Sequence, residues 1–204
     1  MPEPHPFRYP MKPHVRRHGP QGYPRYDRYR EWLRDEFDFR CVYCLRRESW
    51  TQLKAEFDLD HLLPRALRPD LETSYDNLVY SCHTCNLAKG AHLVPDPHVH
   101  IYGKCVRVNA DGTVSPLNEE GEILIGELDL DAASKVRWRQ LYLDAVRLAR
   151  QSGDITMLHS LLGLPVELPN LAGKKPPTGN SRPGGLHMSW YARQARGEVP
   201  DIIE

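Results

Sequence analysis

Apolar positions follow several different periods along the 204 residues, and each change of period predicts an element. Residues 1–24 have no hydrophobic period, and their Pro, His, Arg and Tyr composition reads as an extended arm. From Arg25 to Phe37 the apolar residues Tyr26, Tyr29, Leu33 and Phe37 fall at helical spacing, which predicts a helix with one face in the core. Residues 45–56 are mixed and predict a turn or a short helix. Residues 55–63 then alternate apolar and polar and are closed by Pro64, as a strand is. A loop over 65–76, long for a hairpin, leads to a second strand, NLVYSC, and HTCNLAKG continues as a helix stopped by Gly90. Beyond an irregular 92–100, Asp111-Gly112 between alternating runs predicts a hairpin. Asp131 reads as the cap of a helix whose apolar face is Trp138, Leu141, Tyr142, Ala145, Leu148 and Ala149. Asp154 caps a short helix through Leu162, Gly163 and Pro165 stop it, 164–185 reads as a linker, and LHMSWYARQAR reads as a helical tail. The fold class is α+β.

Chemistry concentrates between residues 41 and 90. Cys41-x2-Cys44 and Cys82-x2-Cys85 are two knuckles, and two such knuckles complete a tetrahedral zinc site with Zn–S near ~2.3 Å. Four-cysteine sites usually leave about 15–20 residues between knuckles. Here residues 45–81 intervene, so a functional element has been inserted into the clip. Four thiolates leave zinc no open position for water, so the ion is structural. Chance placement or disulfides are the bland reading of the same cysteines, and CxxC spacing argues against it. Cys105 is left over, a partly buried thiol without a role.

Composition narrows the setting. No apolar run approaches the ~20 residues of a membrane helix, and MPEPHPFRYPMKPH lacks a secretory apolar core, so a reducing, cytoplasmic location is expected. The 18 prolines and 14 glycines predict much irregular backbone. Net charge is zero, but residues 1–30 hold seven Lys/Arg against Glu3 and Asp27, giving +5. A basic arm beside an acidic segment suits phosphate contacts on one side and cation binding on the other.

The ordered set Asp60-His61 with Pro64, Asn77-Leu78, Cys82-x2-Cys85-Asn86 and Lys89-Gly90 resembles the HNH endonuclease superfamily, over about fifty of the 204 residues. The resemblance implies a ββα-metal core, here clipped by the four-cysteine zinc site, with an N-terminal helix before it and a hairpin and helices after it. It implies His61 as general base, and Asp60 and Asn86 as ligands of one divalent cation, Mg2+ or Mn2+. Asn77 would hold the His61 strand through hydrogen bonds to loop backbone. Asn86 stands where His is commoner, making an HNN variant. Adjacent strand residues point to opposite faces, so a shared site for Asp60 and His61 requires the strand to end or bend there, as Pro64 hints.

Lys89 and Arg65 are candidate phosphate contacts or ordinary surface charges. His83, inside the second knuckle, reads as exposed because four cysteines suffice. His92, His98 and His100 lack ligand spacing and carry no metal reading. The expected organisation is a basic flexible arm (1–24), a zinc-stabilised nuclease domain (25–100), a hairpin and helical extension (101–163), and a linker and tail (164–204). The expected function is metal-dependent hydrolysis of DNA phosphodiester bonds, with self-association through the C-terminal helices as a further expectation. The rivals are a non-catalytic zinc-knuckle module binding nucleic acid or protein, and an interaction protein built on the C-terminal helices.

Overall fold

A computed structural model describes residues 5–51, 56–200 and 202. The first four residues of the expected arm, Ala55 at the expected start of the first strand, and tail residues 201, 203 and 204 lie outside the described residues. The fold mixes helices with two small antiparallel sheets.

After a 3-10 turn over Tyr26–Tyr29, helix α1 (Arg30–Glu36) delivers the chain to the first knuckle. Strand β1 (Phe57–His61) pairs antiparallel with β2 (Leu78–Cys82), from Phe57 opposite Cys82 to His61 opposite Leu78. Helix α2 (His83–Lys89) follows β2 without a loop, and Gly90 ends it at a φ of 50°. That angle lies in the left-handed region, which glycine occupies at no steric cost. Helix α1 packs on β2 and α2 packs on both strands. Burial therefore runs along all five residues of β2, including Leu78, Val79 and Tyr80 at 0% exposure. Phe57 stacks on Tyr80 with ring centroids 5.0 Å apart. Each such ring or Leu side chain contributes about 1.5–3 kcal/mol on burial.

A short helix α3 (Tyr102–Cys105) opens the second unit, where β3 (Val106–Val108) pairs with β4 (Val114–Pro116). Gly112 turns the hairpin at a φ of 83°, as the Asp-Gly pair predicts. Helix α4 (Glu119–Glu127) has no counterpart in the apolar pattern. Its start is nonetheless written locally, because Asn118 Oδ1 accepts from the Gly121 amide at 3.0 Å and three glutamates occupy the first turn. Gly121 is required there: a Cβ would fall 2.0 Å from the Cys105 carbonyl oxygen.

Helix α5 (Ala133–Gln151) starts one residue later than an Asp131 cap allows, with Ala132 at the cap position. Its buried residues are Arg139, Leu143, Val146 and Ala149, whereas Leu141 and Leu148 are 65% and 61% exposed. The expected face is therefore rotated. A buried arginine occupies the helix's inner side, donating through Nε to the Gly112 carbonyl at 2.6 Å and through its other arm to Leu130. Helix α6 (Ile155–Leu162) is capped by Asp154, which accepts from Met157 N at 2.8 Å, as the sequence predicts. Helix α7 (Trp190–Ala195) is capped by Ser189.

Two expectations change. Residues 5–24 are not a free arm, since Phe7 and Tyr9 join the main core and His18 is fully buried. The acidic end of α1 ties this strap down. Buried Glu36 accepts from Arg17 N at 2.7 Å, His18 N at 3.0 Å and Tyr75 OH at 2.9 Å, with His14 Nε2 3.1 Å away. Asp35 holds His18 at 2.8 Å and the Trp190 amide at 2.7 Å. The 164–185 segment is likewise more than a linker: Leu171 is buried, Asn180 bridges to Pro20, and Ser181 N donates to Gly19 O at 2.8 Å. Polar composition predicts loose chain, but here the polar atoms are spent on buried partners. Leu143, Val146, Leu158, Leu162 and Trp190 are buried within the chain, and nothing supports self-association through these helices. No helix among the described residues is long and apolar enough to cross a membrane.

Candidate active site and metal centre

The first knuckle turns tightly, with Leu45 N donating to Cys41 O at 3.0 Å and Cys41 N to Arg46 O at 2.8 Å. The Val42 amide bonds Tyr80 O at 2.9 Å and so pins the knuckle to β2. Cys82 ends β2 and Cys85 lies in the first turn of α2, which brings the second knuckle to the first across the inserted hairpin. The four Sγ atoms lie within 4.8 Å of one another and all four residues are buried. Cys44 and Cys82 Sγ are 3.6 Å apart. A tetrahedron of Zn–S bonds near ~2.3 Å places its sulfurs about 3.8 Å apart, so a cluster of this span could close on one zinc ion. His83 is exposed and stands outside this set.

Helix α2 crosses the hairpin on the face that carries Asp58 and Asp60, two residues apart on β1. Asn86 and Lys89, three apart on the helix, face them. Asn86 Nδ2 donates to Asp58 Oδ2 at 3.1 Å, and His83 Nδ1 lies 2.9 Å from the same oxygen. Lys89 Nζ donates to Asp60 Oδ1 at 3.2 Å and to the His61 carbonyl at 2.7 Å. Tyr43 OH donates to the other oxygen, Asp60 Oδ2, at 2.5 Å. Burial pushes the Asp60 carboxyl above the usual range, while the Lys89 charge and the Tyr43 hydrogen bond pull it back. Asp60 and Asn86, paired as cation ligands by the resemblance, thus each engage a different neighbour. Lys89 is fully buried, not the surface charge that its position suggests.

His61 ends β1 on the other face. The ladder runs unbroken through His61 opposite Leu78 and on to Leu62 N donating to Asn77 O at 2.9 Å, so the strand does not bend between Asp60 and His61. The two side chains share no partner. His61 Nε2 lies 2.9 Å from the Glu72 carbonyl oxygen, and its ring meets the Tyr26 ring edge-on at 4.9 Å. A carbonyl oxygen only accepts, so Nε2 carries the hydrogen and Nδ1 keeps its lone pair. Burial pushes the His61 pKa below the ordinary value, and the Arg65 charge adds to that against the Glu72 hydrogen bond. The ring is neutral at neutral pH.

Asn77 is buried and clips the loop after His61 with two bonds: Leu63 N to Oδ1 at 2.9 Å, and Nδ2 to Leu63 O at 3.0 Å. Arg65 is exposed, pairs with Glu72 at 3.1 Å and lies over the Tyr26 ring at 5.6 Å. His92, His98 and His100 stand near separate carboxylates, Glu127, Asp96 and Glu120, and form no ligand cluster among the described residues. Sequence reading missed Tyr43, Tyr26, Glu72 and Asp58. Only Asp58 left a signal, its same-face spacing from Asp60 in FDLDH. Tyr26 has the spacing of a core-facing residue, and a backbone carbonyl such as that of Glu72 leaves no signature.

Residues 41–92 match the family described as HNH endonuclease. The four-cysteine cluster within this stretch fits the zinc-bearing variant of that family. A search of curated proteins found no match to the chain.

Proposed function

We propose that the protein is an endonuclease that hydrolyses DNA phosphodiester bonds, with His61 as the general base. One observation carries this reading: the Glu72 carbonyl holds Nε2–H at 2.9 Å, which leaves Nδ1 free to accept a proton from water. A ring kept neutral by burial is ready to do so at cellular pH. Asn77 fixes the backbone of Leu63, two residues on, and the Tyr26 ring limits rotation of the imidazole. Arg65 beside Tyr26, with exposed Arg25 and Arg28 on the same turn of chain, supplies positive charge for the substrate backbone.

Asp60, with Asp58 and Asn86 on the same layer, offers the hard oxygen atoms that Mg2+ or Mn2+ take as ligands. One cation already occupies this place, the Lys89 ammonium between Asp60 Oδ1 and the His61 carbonyl. A bound divalent ion would neutralise charge on the phosphate and on the leaving oxygen. The four-cysteine zinc holds the end of β2 and the start of α2 together, and so fixes Asn86 one residue beyond Cys85.

Supercoiled plasmid incubated with the purified protein and Mg2+, Mn2+ or EDTA tests the proposal; nicked or linear product that vanishes with EDTA is expected. The rival, a non-catalytic zinc-clipped binding module, draws on the engagement of both Asp60 oxygens by Tyr43 and Lys89. Plasmid bound but uncut with every metal is its outcome.

A further inference from the structure

Lys89 closes α2 with 0% of its surface exposed, although lysine is among the residues least often buried. A buried ammonium without a partner costs several kcal/mol, so the Asp60 carboxylate and the His61 carbonyl are what hold it inside. The same carboxylate is one of the two, with Asp58, that the proposed function places at a divalent cation, and the one that the ammonium touches. An ammonium and a divalent ion cannot both touch Asp60 Oδ1, because like charges at contact distance repel strongly in a half-dry site.

We propose that Lys89 is a built-in competitor for the cation at Asp60: its ammonium neutralises the carboxylate in the cation-free protein, and a divalent ion binds only by exchanging with it. The inference rests on the cation reading made above and adds the residue that sets its affinity. The exit is short. Lys89 is the last residue of α2, and the next two, Gly90 and Ala91, are exposed, so the solvent boundary lies one residue beyond it along the chain. Tyr43 keeps Asp60 Oδ2 in place while Oδ1 changes partner.

Binding of Mn2+ to the zinc-loaded full chain tests the exchange, with free Mn2+ followed by its paramagnetic resonance signal. Lys89→Gln keeps a donor toward Asp60 but no charge, and it should bind Mn2+ about tenfold more tightly than wild type, or more. Asp60→Asn should lose the site. Equal or weaker affinity in Lys89→Gln overturns the proposal, as does undiminished binding by Asp60→Asn. If Lys89→Gln does not fold without cation, added Mn2+ should restore a cooperative unfolding transition, and failure to do so also overturns it. The readout is separate from cleavage. A chain that cuts plasmid but shows no exchange loses this inference alone, and one that exchanges but cuts nothing loses the nuclease reading.

Discussion

His61 Nε2 lies 2.9 Å from the carbonyl oxygen of Glu72, eleven residues further along the chain. The loop between the strands thus returns to fix the tautomer of the ring that precedes it, and it is held in turn by Asn77. If Nδ1 is the base, His61→Ala should lose about 10²–10⁴-fold in plasmid cleavage while retaining zinc and fold. Wild-type cleavage by a contaminant-free variant would sink the mechanism. Because burial lowers the His61 pKa, cleavage should hold through neutral pH and decline only below the ordinary histidine value. A profile already falling above that value would contradict the assignment.

Asn77 should matter beyond its own two hydrogen bonds. Asn77→Ala removes both bonds to the Leu63 backbone and lets the loop after His61 move. The rate at saturating substrate should fall more than the affinity for DNA. A loss confined to DNA affinity would place Asn77 in binding instead.

The buried thiols predict one equivalent of tightly held zinc. Cys41→Ser and Cys82→Ser should each impair folding, since the energy of a structural zinc site is folding energy. Metal analysis that finds no zinc in soluble, folded protein would refute the centre.

The N-terminal strap predicts a stability effect where a free arm would give none. Phe7 is 1% exposed and packs edge-on against Trp50 and Trp138 at 5.4 and 5.3 Å. Phe7→Ala should cost about 3–5 kcal/mol, read as a drop in the urea midpoint. An unchanged midpoint would mean that the strap does not stay docked.

Glu36 gives the docking a pH signature. Burial alone would raise its carboxyl, but the His14 hydrogen bond and the Arg17 amide, backed by the His14 and Arg16 charges, hold it down at about 2. A carboxyl lowered on folding adds stability that is present above its unfolded value of 4.5 and is lost as pH falls toward 2. Glu36→Gln should therefore be clearly less stable than wild type at pH 7, with the gap closing in strong acid. A gap of constant size would show that the charge plays no part.

By itself the sequence determined the local and the covalent. The strand, loop, strand, helix order of 57–89 follows from short-range alternation, from Gly90 and from the cap positions, each set by a few neighbouring residues. The four thiols were legible because CxxC fixes two ligands on one turn whatever the rest of the chain does. Tertiary structure decided which polar groups face each other. Lys89 reads as a phosphate contact or a surface charge and Arg139 leaves no signal; both are buried because Asp60 and the carbonyls of Gly112 and Leu130 lie opposite them. The strap looks disordered until Asp35 and Glu36, close behind in sequence but on α1, receive its amides and rings. Helical period gave the existence of α5 but not its rotation, because the phase of a helix is set by its neighbours. The same holds at the site: strand period separates Asp60 from His61, and only the packing of α2 over the hairpin assigns Lys89 to one face and leaves the Glu72 carbonyl to the other.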